Sequence, residues 1–295
     1  MTFCGPRPHG PPARADCRTR VQRPAAAGAI DSSAGGDDAA AMAITVERIF
    51  RYPVKGLSAE PLSSVRLSAA LGIEHDRGFA IALPSTRFDA DKPEWLPKTS
   101  FLMLMRNERL AKLETRFDAA EGRLTVFRGG KQVATGRIAT PVGRAVIEDF
   151  FAAYMKKESH GKPRLIEAPP KHMFTDHREP VISLINLASV KDLERVAGGD
   201  VDPLRFRGNL YLQGGEPWAE FGWLGKEIAI GRVRAKVAER IDRCAAVNVN
   251  PATGERDMNL LKDLQKGFGH VDMGIYAEIT AAGAISAGDE LKVKG

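Results

Sequence analysis

Cys244 is the only cysteine in the part of the sequence patterned like a folded protein, and Arg240 and Arg243 stand just before it. A thiol beside cations loses its proton more readily, and the thiolate is the form that ligates metals or attacks electrophiles. On its own a single cysteine is more often a small buried hydrophobe. Further cations fall at strand ends and turns and not along helix faces: Lys55, Arg77 and Arg207, with Arg243 as a fourth. Cations of this kind, joined by an amide such as Asn209 and a helix start near Asn186, suit a phosphate-bearing organic ligand. The thiolate then suits a soft metal carried by that ligand. Read from residues alone, the chemistry is an anionic ligand plus a thiolate.

The elements that must position these groups are short and mostly extended. The 295 residues allow one large domain or two ordinary ones, and the net charge of +6 is too diffuse for a nucleic-acid binder. No apolar run has membrane-spanning length. Three cysteines (Cys4, Cys17, Cys244) make no disulfide framework and leave a reducing cytoplasm as the expected compartment. His172 and His177 read as solvated loop residues. Residues 1–42 hold five Pro, five Gly and ten Ala and few large apolar side chains, so they read as a disordered tail, with Met42 the expected true start.

From Ala43 the pattern is strand-rich. Strands are expected around residues 44–50, 62–67, 79–83, 113–117, 181–185, 210–212, 221–224, 227–230, 233–237, 275–279 and 291–293. A hairpin is expected across Arg128-Gly129-Gly130-Lys131. Val142, Val146, Phe150 and Tyr154 read as one face of a helix ending near Lys156 and Lys157. A second helix follows Asn186 and stops at Gly198-Gly199, with Asn186 or Ser189 as its N-cap. Residues 260–264 read as a short helix. The proline-bearing stretch 158–180 reads as loop and carries the expected boundary between domains at 43–165 and 170–295. The fold class expected is mainly β (α+β): two partly closed, barrel-like domains with a few short helices.

Several motifs resemble a known family. Tyr52-Pro-Val-Lys55 and the later Asp76-Arg-Gly-Phe79 resemble the N-terminal β-barrel domain that accompanies MOSC domains. Asn186-Leu-Ala-Ser189, Arg205-Phe-Arg-Gly-Asn209, Arg243-Cys244, Asn250-Pro-Ala-Thr-Gly254 and Gly288-Asp289 resemble the MOSC domain itself. The subgroup it is most similar to is the mitochondrial amidoxime reducing component and its bacterial relatives. The resemblance spans roughly residues 43–293. It implies a molybdenum-pterin cofactor (Mo-molybdopterin) with Cys244 as metal ligand and catalytic residue. It also implies that Lys55, Gly56, Arg77, Asn186, Arg207, Asn209, Asp242, Arg243 and Tyr276 surround that cofactor.

The implied activity is reduction of small N-hydroxylated compounds with electrons from an external flavoprotein, ferredoxin or cytochrome b5-like protein, without nucleic acid or membrane as partners. At domain level the resemblance also carries pyridoxal phosphate binding. The sequence departs from the subgroup at Gly56, where Ser is usual, at Asp242, where Ser is usual, at Asn186-Leu187 for Ser-Glu, and at Gly208 for Pro. A carboxylate at Asp242 repels a phosphate unless a cation such as Arg243 neutralises it. A second reading of the same residues is a carrier that holds the cofactor, or sulfur on Cys244, and passes it on. A third is a β-rich domain with a buried cysteine and no cofactor.

Overall fold

Two ten-residue strands shape the protein, and their irregular pairing curls the main sheet. The computed structural model describes residues 43–69 and 71–294. The expected tail and start at Met42 lie outside the described residues. In chain order the strands and helices are β1 (Thr45–Arg51), β2 (Glu60–Leu62), β3 (Ser64–Ser68), β4 (Gly72–Ile73), β5 (Phe79–Ala82), β6 (Leu113–Asp118), β7 (Arg123–Arg128), β8 (Lys131–Arg137), α1 (Pro141–Tyr154) and β9 (Arg164–Glu167). They continue as β10 (Ile182–Asn186), α2 (Leu187–Ala197), β11 (Leu210–Gln213), β12 (Glu227–Ile230), β13 (Val233–Asp242), α3 (Leu260–Phe268), β14 (Asp272–Ala281), β15 (Gly283–Ser286) and β16 (Leu291–Val293). The described residues are mainly β with three α-helices. Among the described residues no helix is long and apolar enough to cross a membrane.

Eight strands form the main sheet in the order β16-β12-β13-β14-β10-β11-β1-β2. β13 and β14 pair antiparallel with register shifts at Arg234/Ala235, Val237/Glu239 and Arg240/Asp242. Each shift adds local twist and bends the strand. The concave face is filled by Val46, Leu184, Leu210, Val237 and Ile275, among others. Hydrogen-bonded strands run across the boundary expected at 165–170: β1 pairs with β11 in the main sheet, and β3 pairs with β15. The described residues all fall in one compact unit.

A second core lies between the β6-β7-β8 sheet and α1, with Leu113, Val126, Ile147 and Phe151 buried in it. The expected hairpin turn is there, and Gly129 and Gly130 both have positive φ (55° and 73°), as a type I′ turn requires. Helix α1 starts at Thr140, whose hydroxyl accepts from the Gly143 N–H at 3.1 Å, with Pro141 in the first turn. Its buried face differs from the one expected. Gly143, Ile147, Phe151 and Tyr154 face inward, while Val142 is 75% exposed. The cause is a backbone approach: a Cβ on Gly143 would sit 2.2 Å from the Arg137 carbonyl oxygen. The glycine therefore faces the sheet and the valines beside it turn outward.

Two further expectations change. Residues Ala219–Trp223 form a 3-10 turn and not a strand, entered through Trp218 at φ 65°. The expected loop at 158–180 contains β9, which pairs with β5 and is bounded by the prolines that hid it. Helix α2 follows expectation: Asn186 Oδ1 accepts from the Ala188 N–H at 3.0 Å, and Gly198 ends the helix in the left-handed region.

Candidate functional site

Two short sequence motifs are zipped together by three backbone hydrogen bonds and one from a backbone N–H to a side-chain carboxylate. The Tyr52 N–H donates to Asp76 Oδ1 at 2.7 Å, the Arg77 N–H to the Tyr52 carbonyl at 2.6 Å, the Phe79 N–H to the Pro53 carbonyl at 3.0 Å, and the Lys55 N–H to the Phe79 carbonyl at 2.8 Å. This pairing brings Lys55 and Arg77 to one place. The turn after the 3-10 segment Pro203–Phe206 adds Arg207, and the bulged end of β13 adds Asp242, Arg243 and Cys244. Together with Gly56, Asn209 and Tyr276 they line one cavity of about 470 Å³. Cys244 is a free, half-buried thiol on its wall.

The cations are held firmly. Arg77 and Arg207 both have left-handed backbones (φ 50° and 52°), uncommon for residues other than glycine. Their guanidiniums lie 4.6 and 4.4 Å from the centroid of the Tyr52 ring. Arg77 pairs with the buried carboxylate of Asp76 and donates to the Arg207 carbonyl at 3.0 Å. Arg207 donates to the Leu57 carbonyl at 2.8 Å. Arg243 donates to the Phe206 carbonyl at 2.8 Å and from Nε to the Met273 carbonyl at 2.9 Å.

Among the described residues neither Arg207 nor Arg243 forms an ion pair with a carboxylate. Burial accordingly pulls both guanidiniums below the ordinary arginine range. Burial works the same way on Arg77, but Asp76 outweighs it and carries Arg77 upward. Burial also depresses the Lys55 ammonium, against the pull of Asp176, whose carboxylate lies 2.5 Å from Nζ. Cations set in a low-dielectric wall without countercharges favour an anionic ligand.

Several expected residues have roles other than lining. Asn209 Oδ1 accepts from the Ser183 N–H and hydroxyl at 3.1 and 2.9 Å and from Arg77 at 3.3 Å, so it orients Arg77. Gly56 has φ 81°, and a Cβ there would lie 3.0 Å from the Leu102 carbonyl oxygen, which accounts for glycine at this position. Asp242 is exposed, and Arg243 does not pair with it; the guanidinium reaches backbone carbonyls instead. Arg240 also turns from the thiol: it stacks over Phe221 at 4.3 Å.

Asn186 is a correction. It is buried outside the cavity, where it caps α2 and donates to Glu220 Oε2 and the Glu216 carbonyl, both at 2.8 Å. The two histidines are corrected as well. His172 packs against Phe88 and Phe174, where burial lowers its pKa. The His177 ring lies 5.4 Å from that of Tyr276, and its Nε2 is 3.6 Å from Glu239.

Sequence reasoning passed over Tyr52, Asp76 and Asp176. The first two sit inside motifs already singled out and were available there. Asp176 pairs with a lysine 121 residues away, and no local pattern marks it.

The donor set constrains what a metal could do here. Among the described residues no group of three His, Cys, Asp or Glu side chains could hold a metal ion. A metal at Cys244 must therefore bring its other ligands with it.

Comparison with known proteins agrees with this part of the chain. Residues 169–292 match the MOSC domain model. Molybdenum cofactor sulfurase of Caenorhabditis elegans is 26% identical over 247 residues, covering 80% of this chain and 33% of its own length. That of Drosophila willistoni is 30% identical over 121 residues, 38% of this chain and 15% of its own. The chain thus spans a third or less of the relatives it matches. Among solved structures, the YUAD protein from Bacillus subtilis covers 85% of this chain and 96% of its own at 11% identity and a TM-score of 0.42. YiiM from Geobacillus stearothermophilus covers 39% of this chain and 54% of its own at 21% identity and a TM-score of 0.30. The match to the MOSC domain model thus takes in the C-terminal part of the chain, residues 169–292.

Proposed function

We propose that the cavity binds a molybdenum-pterin cofactor, with Cys244 as the one protein ligand to the metal, and that the protein reduces N-hydroxylated compounds with electrons from a separate redox protein. One observation carries this reading: a single half-buried thiol shares a cavity wall with Lys55, Arg77 and Arg207. The fit rests on the donor set. Guanidiniums without carboxylate partners suit a phosphate, and a lone thiol suits a metal that arrives with an organic ligand.

The cofactor, when bound, supplies two-electron oxygen-transfer chemistry. The protein's part is binding and orientation. Arg207, without a carboxylate partner among the described residues, and Arg77, paired with Asp76, both beside the Tyr52 ring, would hold the anionic end. Arg243, next to the thiol, ties its turn to the Phe206 and Met273 carbonyls of two other segments. The overall change balances as an N–OH group plus two electrons and two protons giving N–H and water. Glu239, beside His177, and Tyr276 are the cavity's groups suited to proton delivery.

The test is elemental and pterin analysis of the full chain from a molybdenum-replete host. Near-stoichiometric molybdenum in wild type and its loss in Cys244→Ser supports the reading. Equal molybdenum in both overturns it. The relatives' name, molybdenum cofactor sulfurase, favours a second reading, in which the protein carries the cofactor or sulfur on Cys244 and hands it on. Turnover separates the two: cofactor-loaded protein with an artificial reductant reduces an amidoxime only under the first.

A further inference from the structure

The Asn250-Pro-Ala-Thr-Gly254 turn contributes no residue to the cavity, yet it is tightly built. Asn250 Oδ1 accepts from the Ala252 and Thr253 N–H groups at 2.9 and 3.2 Å, and the Gly254 N–H donates to the Asn250 carbonyl at 2.8 Å. The turn rests on the 3-10 segment Glu108–Lys112, more than 130 residues earlier in the chain. Gly254 has φ 67°, and a Cβ on it would meet Lys112 Cγ at 2.8 Å and the Glu108 carbonyl oxygen at 3.1 Å.

Arg256, two residues on, reaches both walls of the cavity. Its Nη1 donates to the Ala245 carbonyl at 2.9 Å, directly after the thiol. Its Nη2 donates to the Met105 carbonyl at 2.7 Å and lies 3.4 Å from the Glu108 carboxylate. Leu104 and Met105 from one of these segments, and Cys244 and Ala246 from the other, line the cavity. Neither wall is held to the other by a strand ladder. One is a 3-10 turn, Ala245–Asn248, and the other is an irregular segment closed on itself by Asn107, which accepts from the Met103 N–H at 3.0 Å.

We propose that Arg256 is a positioning residue of the Cys244 site: it clamps the Met103–Met105 wall to the turn that follows the thiol and so sets how far the cavity opens beside the sulfur. The inference rests on Cys244 being the reactive group of the cavity, as in the proposed function. A planar fork with donors on two nitrogens can hold two carbonyls at once, which an ammonium on a flexible stem does less well.

The test is the rate of alkylation by iodoacetamide in the full chain, resolved by peptide mass spectrometry so that Cys244 is read apart from Cys4 and Cys17. Arg256→Ala should raise the Cys244 rate about threefold or more through local opening, and Arg256→Lys should raise it less. Gly254→Ala, which pushes the turn off Glu108–Lys112, should also raise it and decides the matter if Arg256→Ala does not fold. A merely structural arginine would lower the denaturation midpoint and leave the Cys244 rate of the folded protein unchanged, and that result overturns the clamp. Thiol access is read without any cofactor. An unchanged rate therefore removes the clamp and leaves the cofactor reading intact, while absent molybdenum binding does the reverse.

Discussion

The guanidinium of Arg207 lies 4.4 Å from the centroid of the Tyr52 ring, and that of Arg77 lies 4.6 Å from the same ring. Two like charges are thus held beside one buried aromatic, in left-handed backbones, at the edge of the cavity. The ring quadrupole attracts both cations and limits their rotamers. Among the described residues the buried Tyr52 hydroxyl makes no hydrogen bond of ordinary geometry, and its polar neighbour is the Tyr211 hydroxyl. Ring and hydroxyl can therefore be separated by mutation. Tyr52→Phe should stay within about 1 kcal/mol of wild type in chemical denaturation, or exceed it, because an unpaired buried group is removed. Tyr52→Leu should lose about 1–3 kcal/mol and weaken inorganic phosphate binding. Equal losses in both variants would contradict the platform role.

Asp176 occupies the ammonium of Lys55 at 2.5 Å. Partial desolvation works to raise its pKa although the side chain is 47% exposed, but Lys55, Lys98 and Arg77 hold the carboxyl below the ordinary aspartate range, so it is ionised at neutral pH. It competes with any incoming anion. Asp176→Asn should tighten inorganic phosphate binding roughly tenfold at neutral pH, as removal of one repulsive contact allows. Calorimetric titration reads it. Unchanged or weaker binding would mean that Asp176 serves mainly to aim Lys55.

Glu220 is fully buried and, among the described residues, has no cationic partner in contact; its carboxylate accepts from Asn186 Nδ2 at 2.8 Å and from Ser189 Oγ at 2.8 and 3.0 Å. Burial raises its pKa above the ordinary glutamate value, and the hydrogen bonds only partly offset this. A raised folded pKa means that the contribution is fully present below the unfolded pKa, about 4.5, and is lost as pH rises through the folded value. Thermal midpoints should therefore fall over that window in wild type. Glu220→Gln can keep the contacts to Asn186 and Ser189 and should flatten the curve, exceeding wild type on its alkaline side. A wild-type midpoint that rises through the same window would contradict this account.

Gly143 and Gly136 meet back to back, with an added Cβ on Gly136 only 2.2 Å from the Gly143 carbonyl oxygen. Backbone cannot yield as a side chain can. Gly136→Ala or Gly143→Ala should cost about 3 kcal/mol in denaturation by separating α1 from β8. A matching Val142→Ala change, at an exposed position, should fall within about 0.5 kcal/mol of wild type.

What could be read in the sequence follows from the range of each signal. The Gly129-Gly130 hairpin and the Asn186 cap of α2 were legible because their causes lie within a few residues. Cys244 and its cations were legible as residue types at turns, and the structure gathers them from segments nearly two hundred residues apart. The face of α1 was misread because the periodicity of Val142 and Val146 gives no sign that glycine would be the contact residue. Asn186 was placed at the cofactor through the family resemblance, although the capping role that the sequence also gave it uses the same side chain. The Lys55–Asp176 and Arg256–Met105 pairings depend on tertiary proximity alone, which local pattern cannot carry.

The central claim is that the Cys244 sulfur reaches a metal in a cavity whose cations hold the metal's organic carrier. X-ray absorption at the molybdenum edge on loaded wild type and Cys244→Ser tests it most directly. The account predicts one fewer sulfur neighbour around molybdenum in the variant, with metal retained only weakly. An identical sulfur shell and equal metal content in the two proteins would contradict it.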